Sequence, residues 1–291
     1  MALRFQQHPG LVVYLTAGDT GSSSAQAPSV GETDLSVTRR IALAAIDAGA
    51  DVIELGVPYS DPLGDGPVIQ RASERALARG TRLVDVLKLA GELRAARPEA
   101  GLVIFSYLNP ILRFGLAKFA DVAAAAGVDG VLLIDMIVEE AAEYLAEMKR
   151  VGLAPIFLAA PTSPDERLKV IVEHSQGFVY AISRTGVTGK RQDVAAGAAA
   201  LVERIRRFTG ERDGAGWRGL PVAVGFGISN AEHVAQVAGF ADAAVIGSAI
   251  VELIEKTTRE QGVEQAAGEV ARFVGSLFTG GLRQPVPAQA L

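Results

Sequence analysis

The chain has 291 residues, of which 49% are hydrophobic and 21% charged, with a formal net charge of −5, so it is long enough for two ordinary domains or for one α/β barrel. The acidic balance offers no basic surface to nucleic acid or anionic lipid. No apolar stretch reaches the roughly 18 residues that cross a bilayer, and the N-terminus lacks a signal-peptide core. We therefore expect a cytoplasmic protein. Cysteine is absent, which excludes disulfides and thiolate sites, and because the histidines (His8, His174 and His233) are widely spread, no metal site is expected.

Eight short apolar segments bounded by glycine and proline recur along the chain and predict buried β-strands. In chain order they are Leu11–Ala17, Asp51–Val57, Leu102–Tyr107, Gly130–Ile134, Pro155–Ala160, Phe178–Ser183, Pro221–Gly225 and Ala243–Gly247. Segments rich in alanine, leucine and charge, with helical spacing, separate them. Because a parallel strand pair needs a crossover of a dozen residues or more, usually a helix, eight such units favour a single-domain (β/α)8 TIM barrel over an open doubly wound sheet.

No linker divides these units, so residues 1–291 are predicted to form one barrel domain. Residues 20–34 are rich in serine, glycine and proline and follow strand one, which predicts a flexible insert on the catalytic face. Residues 281–291 have two prolines and no periodicity, which predicts a frayed tail. The tags AGAD, AGVD and GFAD precede strands two, four and eight; we interpret them as a helix-ending glycine that leads directly into a strand.

Strand two carries an acidic residue in an apolar run. Alternation along the strand puts Val52, Glu54 and Gly56 on one face, which makes Glu54 a carboxyl group that projects into the barrel. An unpaired charge is costly to bury, so such a group has a partner or a raised pKa. The strand alone leaves two interpretations open, an internal salt bridge that fills the barrel and a catalytic acid or base.

Asp65 lies eleven positions further on, in a loop rich in proline and glycine. Aspartate is common in such turns, so Asp65 alone indicates little. Reactive groups of these barrels, however, lie at the C-terminal ends of the strands, where Asp65 would share a rim with Glu54. Of two such carboxyl groups, the one in the drier setting would hold a proton near neutral pH while the other stays ionised.

Two glycine-rich strand ends predict a phosphate site. Residues 222–229 (VAVGFGIS) end strand seven, and residues 245–254 (VIGSAIVELI) lead from strand eight into a helix. The loops after strands seven and eight often bind phosphate, with help from a helix N-terminus. Ser248 is either a ligand or an ordinary N-cap. No Walker-type lysine is present, which favours a sugar phosphate over ATP.

The loop after strand six, SRTGVTGKRQD (residues 183–193), has two glycines and small polar residues. It is either a mobile lid over bound substrate or a plain solvated loop. Tyr180, on strand six, either reaches the pocket or packs.

Together these motifs resemble the tryptophan synthase alpha chain family from about Leu11 to Leu277. The motifs that carry the resemblance are ELGVPYSDPLGDGPVIQ, SRTGVTG, GFGIS and IGSAIV, with YLTAGD, YLNPI and APIFLAAP in agreement. The resemblance implies a carbon–carbon lyase that cleaves indole-3-glycerol phosphate by a retro-aldol reaction to indole and glyceraldehyde 3-phosphate, in L-tryptophan biosynthesis. It implies no metal and no organic cofactor in this chain.

The resemblance also assigns site residues. Glu54 matches the acid/base glutamate, Asp65 the aspartate that hydrogen-bonds the indole N–H, and Thr188 the lid threonine that orders this aspartate. Positions implied to bind the rest of the substrate are Tyr14, Ile69, Ile104, Phe105 and Tyr180 at the indole, and Gly189, Phe226, Gly227, Gly247 and Ser248 at the phosphate.

Members of this family work with a beta chain, two alpha and two beta chains together, and indole passes through a tunnel to pyridoxal phosphate in beta. Asp61, Pro62, Asn109 and Ile137 match beta-facing positions, although the family commonly has proline where Ile137 stands. That departure and the insert after strand one mildly favour an alternative, a stand-alone lyase that releases free indole. A catalytically weak subunit that activates beta, and a barrel for another sugar phosphate, are further alternatives, which the strand-two motif disfavours.

Overall fold

The structure, a computed structural model, describes residues 3, 5, 7–22, 35–182, 191–210, 212–213, 216–217, 219–225, 227–278 and 284–285. Eight parallel strands form its central sheet, and the fifth of them is interrupted by Phe157. They are β1 (Gly10–Thr16), β2 (Val52–Gly56), β3 (Gly101–Ser106), β4 (Gly130–Leu133), β5 (Ala154–Ile156 and Leu158–Ala159), β6 (Val179–Ile182), β7 (Val222–Gly225) and β8 (Ala243–Ile246). Each agrees with its predicted segment to within one residue at the outer ends.

The strands close into a barrel. Each pairs in parallel with the next along the chain, and β8 pairs with β1, where Ala243 lies opposite Gly10. The first half of β5 pairs with β4 and the second half with β6, so the ring passes through the break at Phe157. The predicted (β/α)8 barrel is therefore confirmed.

Helices surround the barrel in the expected alternation. They are α1 (Ser36–Asp47), α2 (Pro67–Ala78), α3 (Leu83–Ala96), α4 (Leu108–Phe114), α5 (Leu116–Ala125), α6 (Ala142–Val151), α7 (Asp165–His174), α8 (Arg191–Thr209), α9 (Ala231–Ala238), α10 (Ser248–Gln261) and α11 (Ala266–Ser276), with 3-10 turns at Val138–Glu140 and Val263–Gln265. Among the described residues, no helix is both long enough and apolar enough to cross a membrane.

Side-chain alternation along the strands builds two apolar layers. On β1, Leu11 and Val13 point outward and pack against the helices, whereas Val12 and Tyr14 point into the barrel. Leu3, only 7% exposed, belongs to the inner layer. Leu3 lies against Gly101 and Gly130, at the starts of β3 and β4, so it packs at the N-terminal end of the barrel, opposite the end where a site is expected.

The start of the predicted insert is packed rather than free. The backbone N–H of Gly21 donates to Asp19 Oδ1 at 2.9 Å, and Thr258 Oγ1 donates to the carbonyl of Thr20 at 2.8 Å. Residues 23–34, where a flexible excursion is predicted, lie outside the described residues. Within the predicted tail, Gln284–Pro285 pairs with Gln7–His8. The rest of residues 281–291 also lies outside the described residues.

Candidate active site

A cavity of about 390 Å³ opens at the C-terminal end of the barrel. Its lining comes from strands β1, β3, β6, β7 and β8 and from the loops and helices that follow β2, β7 and β8: Tyr14, Asp65, Gly66, Pro67, Val68, Ile69, Phe105, Tyr180, Gly225, Gly227, Ile228, Val245, Gly247, Ser248 and Glu252. This volume suits a small organic substrate. The predicted residues from strands one, two, six, seven and eight thus meet at one place, although they are far apart in sequence.

Glu54 is completely buried inside the barrel, beside this cavity. Its neighbour in register on β1 is Tyr14, which lines the cavity. Neither carboxylate oxygen has a hydrogen-bond partner among the described residues, which removes the salt-bridge interpretation within that part of the chain. Burial raises the pKa of Glu54 to about 8, because the charged form cannot be solvated there. Glu54 is therefore a neutral acid at neutral pH.

Asp65 lies at the edge of the same cavity, in the loop between β2 and α2. Burial raises its pKa to about 6, against the opposing effect of a hydrogen bond from the Tyr107 hydroxyl to Oδ2 at 3.1 Å. Gln70 Nε2 donates to the backbone carbonyl of Asp65 at 3.0 Å and so helps to hold the loop. With a pKa of about 6, Asp65 would be mostly ionised at neutral pH, so the pKa values of the two carboxyl groups differ in the direction expected of a wetter and a drier setting.

The walls between the two carboxyl groups are apolar and aromatic. The rings of Tyr14 and Phe105 meet edge to face with centroids 5.2 Å apart, an arrangement favoured by ring quadrupoles. Ile69 and Tyr180 also line the cavity, so Tyr180 reaches the pocket. Ile104 does not: it is fully buried and packs in the outer layer against the helices. The expectation that Ile104 forms part of the wall is wrong, because neighbouring residues of a strand face opposite sides.

The opposite end of the cavity is built for an anion. Helix α10 begins at Ser248, and its N-cap position is Gly247, which has no side chain to cap the helix. The N–H of Ile250 bonds to the Gly247 carbonyl at 2.9 Å, and the N–H groups of Ser248 and Ala249 precede it at the positive end of the helix dipole, without a side-chain cap. Gly227, with φ of +73°, and Gly247 let the backbone come close to a ligand. Ser248 is thus the first helical residue rather than the N-cap.

Three predicted site residues, Thr188, Gly189 and Phe226, lie outside the described residues. Two further residues were missed by sequence reasoning. Glu252 lines the cavity one turn after Ser248, a position that helical spacing could have indicated. Tyr107, directly after β3, contacts Asp65 in the loop after β2, and only the pairing of β2 with β3 in the barrel reveals that contact.

The positions predicted to face a partner lie on the rim around Asp65. Asp61, Asn109 and Ile137 are exposed, while Pro62 is half-buried. Sequence reasoning missed two apolar neighbours there: Leu63 is 92% exposed and Leu112 52%, while Ile137 is 43% exposed. Large exposed apolar side chains clustered on one rim are typical of an interaction surface.

Comparisons with known proteins agree with this architecture. A family profile described as tryptophan synthase alpha chain matches residues 1–277. Tryptophan synthase alpha chains of Solibacter usitatus and Dechloromonas aromatica are 46% and 48% identical, over 90% and 84% of this chain and 90% and 87% of their own lengths.

Solved structures give the same result. The alpha subunit of tryptophan synthase from Legionella pneumophila is 32% identical with a TM-score of 0.78, covering 92% of this chain and 91% of its own. A chain of the tryptophan synthase complex from Pyrococcus furiosus is 34% identical with a TM-score of 0.76, covering 94% of this chain and 99% of its own.

Proposed function

The chain belongs to the tryptophan synthase alpha chain family, and from that premise we propose that it cleaves indole-3-glycerol phosphate to indole and glyceraldehyde 3-phosphate as a carbon–carbon lyase. Its function is that of a tryptophan synthase alpha subunit in tryptophan biosynthesis. The stand-alone lyase is not favoured, because the similar proteins are named as tryptophan synthase alpha chains. The observation that carries the proposed reaction is the buried Glu54 carboxyl group, which has no hydrogen-bond partner among the described residues, beside a cavity that ends at the start of α10.

The substrate fits the cavity in one direction. The phosphate would accept N–H groups at the start of α10, around Gly247 and Ser248, with Gly227 beside them. The indole ring would pack against the adjoining rings of Tyr14 and Phe105, so that its N–H points to the Asp65 carboxylate. This orientation puts the bond to be cleaved beside Glu54.

The two carboxyl groups then have separate roles. Glu54 donates its proton to indole C3, and ionised Asp65 stabilises the cation that forms on the ring. Glu54, now a carboxylate, takes the proton of the glycerol hydroxyl next to the ring. As that hydroxyl becomes an aldehyde, the carbon–carbon bond breaks, its electrons return to the ring, and no net proton is consumed. Because Glu54 has no described hydrogen-bond partner, none has to be broken for it to turn toward the substrate.

These steps use only groups of the chain, so we propose that it has no metal or organic cofactor of its own. The proposed partner is a tryptophan synthase beta chain, two alpha with two beta, which would hold the pyridoxal phosphate. The exposed rim with Leu63, Leu112 and Ile137 supports such a contact, and the cytoplasm is the proposed location.

Indole release from indole-3-glycerol phosphate, with and without a beta chain from the same source, tests the proposal. We expect slow turnover alone and a large rise with beta. Fast turnover that beta does not change would support the stand-alone lyase, and no turnover in either condition would refute the substrate.

Glu54→Gln tests the acid/base group in the same assay. It should abolish cleavage while substrate affinity stays within about a factor of three, since an amide cannot donate the proton. Retained cleavage would remove Glu54 from the mechanism. Glu173→Gln, at an exposed position on α7, is the matched control and should be as active as the parent.

A further inference from the structure

Tyr107 joins the active-site aspartate to its own loop. It follows β3 directly and is only 6% exposed. Its hydroxyl donates to Asp65 Oδ2 at 3.1 Å and accepts the backbone N–H of Gly64 at 2.9 Å. A single hydroxyl group therefore contacts both the carboxylate of Asp65 and the backbone just before it.

We propose that Tyr107 is a positioning residue for the reaction, one that fixes the Asp65 carboxylate at the cavity edge. The proposal rests on the proposed function, in which Asp65 accepts the indole N–H. Tyr107 itself does not line the cavity, so it would act through Asp65 rather than on the substrate.

The Tyr107 ring is held by a neighbouring ring, and the backbone beside it is fixed by a hydrogen bond, as a positioning residue requires. It packs on the ring of Tyr59 with centroids 4.8 Å apart. The next residue, Leu108, donates its backbone N–H to Asp135 Oδ1 at 2.8 Å. The hydroxyl therefore has a defined place before substrate binds.

The contact also depends on the absence of a side chain at position 64. A Cβ atom on Gly64 would lie 3.2 Å from the Tyr107 hydroxyl and 2.9 Å from Ile134 Cδ1. An alanine there would force one of these groups to move. The close approach of this loop to Tyr107 therefore depends on the glycine at position 64.

The hydrogen bond from Tyr107 has a measurable effect on the pKa of Asp65, which other titratable groups surround. Asp65 is near the hydroxyls of Tyr14 and Tyr180, and Tyr107 is also near the Asp135 carboxylate. Burial raises the pKa of Asp65, and the Tyr107 hydrogen bond opposes that rise. Without the donor the pKa would rise further, and a larger share of Asp65 would be protonated at neutral pH. A protonated Asp65 stabilises the cation on the ring less well.

Tyr107→Phe removes the hydroxyl and keeps the ring. We expect kcat to fall on the order of tenfold, the loss of one hydrogen bond to a charged group, while KM changes less than about threefold. The acid limb of the kcat/KM profile should move to higher pH. Tyr144→Phe is the matched control: that buried hydroxyl donates to the carbonyl of Val131 at 2.8 Å, away from the cavity, so it should lower Tm without moving the profile.

Two further measurements distinguish an effect of Tyr107 on Asp65 from a general effect on the stability of the fold. In an Asp65→Asn background, Tyr107→Phe should cause no further loss of kcat; an additive loss would overturn the proposal. A ¹³C NMR titration of the Asp65 carboxyl group, assigned with Asp65→Asn, should show a higher pKa in Tyr107→Phe than in the parent, and an equal pKa would also overturn it.

The NMR readout does not require turnover, so a parent protein without cleavage activity would refute the proposed function and still leave this inference testable. If Tyr107→Phe does not fold, 4-fluorophenylalanine in place of Tyr107 keeps the volume of the hydroxyl without its donor and should raise the pKa of Asp65 in the same direction. An unchanged pKa in that variant would overturn the proposal.

Discussion

Glu54 and Asp65 carry the same functional group, and their surroundings make them chemically different. Glu54 has no described hydrogen-bond donor and no access to solvent, so its neutral form is favoured up to a pH of about 8. Asp65 has the Tyr107 donor and a more open position, so it ionises at a pH of about 6. Between these values the site holds one acid and one anion, the pair that the proposed reaction requires.

Asp65→Asn should lower kcat on the order of 10²-fold or more, because an amide cannot supply the negative charge that stabilises the cation on the indole ring. The measurement is single-turnover cleavage of indole-3-glycerol phosphate. Asp121→Asn removes an exposed carboxylate, 61% accessible in its pair with Arg150, and should match the parent. An Asp65→Asn protein as fast as the parent would remove this role.

Glu54 should also make stability depend on pH. Its pKa is about 8 in the folded chain against 4.5 for the free side chain, so between these values the folded state holds a proton that the unfolded chain has released. The free energy of unfolding therefore falls as pH rises through this interval. Glu54→Gln lacks this titration, so its stability relative to the parent should improve from pH 5 to pH 8.

Urea unfolding of both proteins at several pH values checks this prediction. A difference in the free energy of unfolding that stays constant with pH would contradict the raised pKa. Glu173→Gln, at an exposed position on α7, is the control and should keep a nearly constant difference from the parent.

At the scale of elements, the barrel strands are tied together where they begin. Three carboxylates each accept a backbone N–H group from the preceding strand of the barrel. Asp51 accepts from Leu11 at 2.8 Å, Asp129 from Leu102 at 2.9 Å and Asp242 from Val222 at 2.7 Å. These aspartates end the tags before β2, β4 and β8. The tags therefore have a physical reason: each fixes the start of one strand against the strand before it.

Asp129→Ala should destabilise the protein by about 3 kcal/mol, because it leaves Arg94 without the carboxylate it contacts at 2.5 Å and removes the acceptor for Leu102. Asp121→Ala, which breaks only an exposed pair, should cost about 1 kcal/mol or less. Urea unfolding measures both. Equal losses in the two variants would contradict the clamping role of Asp129.

At the scale of the whole molecule, the barrel presents one rim that is both reactive and apolar. The loops after β2, β3 and β4 are joined by hydrogen bonds, including Tyr107 to Asp65 and Leu108 to Asp135. The same loops and α4 expose Leu63, Leu112 and Ile137. A partner bound to this rim would contact loops that also carry Asp65.

Ile137→Asp should weaken binding of a tryptophan synthase beta chain at least about tenfold, because a carboxylate buried without a partner costs more than 1.4 kcal/mol. Calorimetric titration measures the affinity. Val84→Asp is the matched control: Val84 is 44% exposed on α3, outside the loops and the helix that carry Leu63, Leu112 and Ile137, so binding should not change. Unchanged affinity of Ile137→Asp would remove Ile137 from the interface.

Much of the fold could be predicted because its signals are local. A barrel strand covered on both faces is an apolar run, and the eight runs coincide with the eight strands. The break of β5 at Phe157 could not be predicted, since Phe157 is as apolar as its neighbours. The error at Ile104 was avoidable, because alternation with Phe105 already decides that only one of the two faces the cavity.

Local sequence patterns were enough to predict the barrel, the inward direction of Glu54 and the two glycine-rich strand ends, because strand periodicity and turn chemistry act between residues close in the chain. The groups that surround each carboxyl could not be predicted in this way, since they come from distant parts of the chain. The Tyr107 bond to Asp65 spans 42 positions, and the raised pKa of Glu54 comes from burial by strands throughout the chain. The exposure of Leu63 was equally hidden, since an apolar residue alone predicts burial and only the assembled barrel shows which loops remain uncovered.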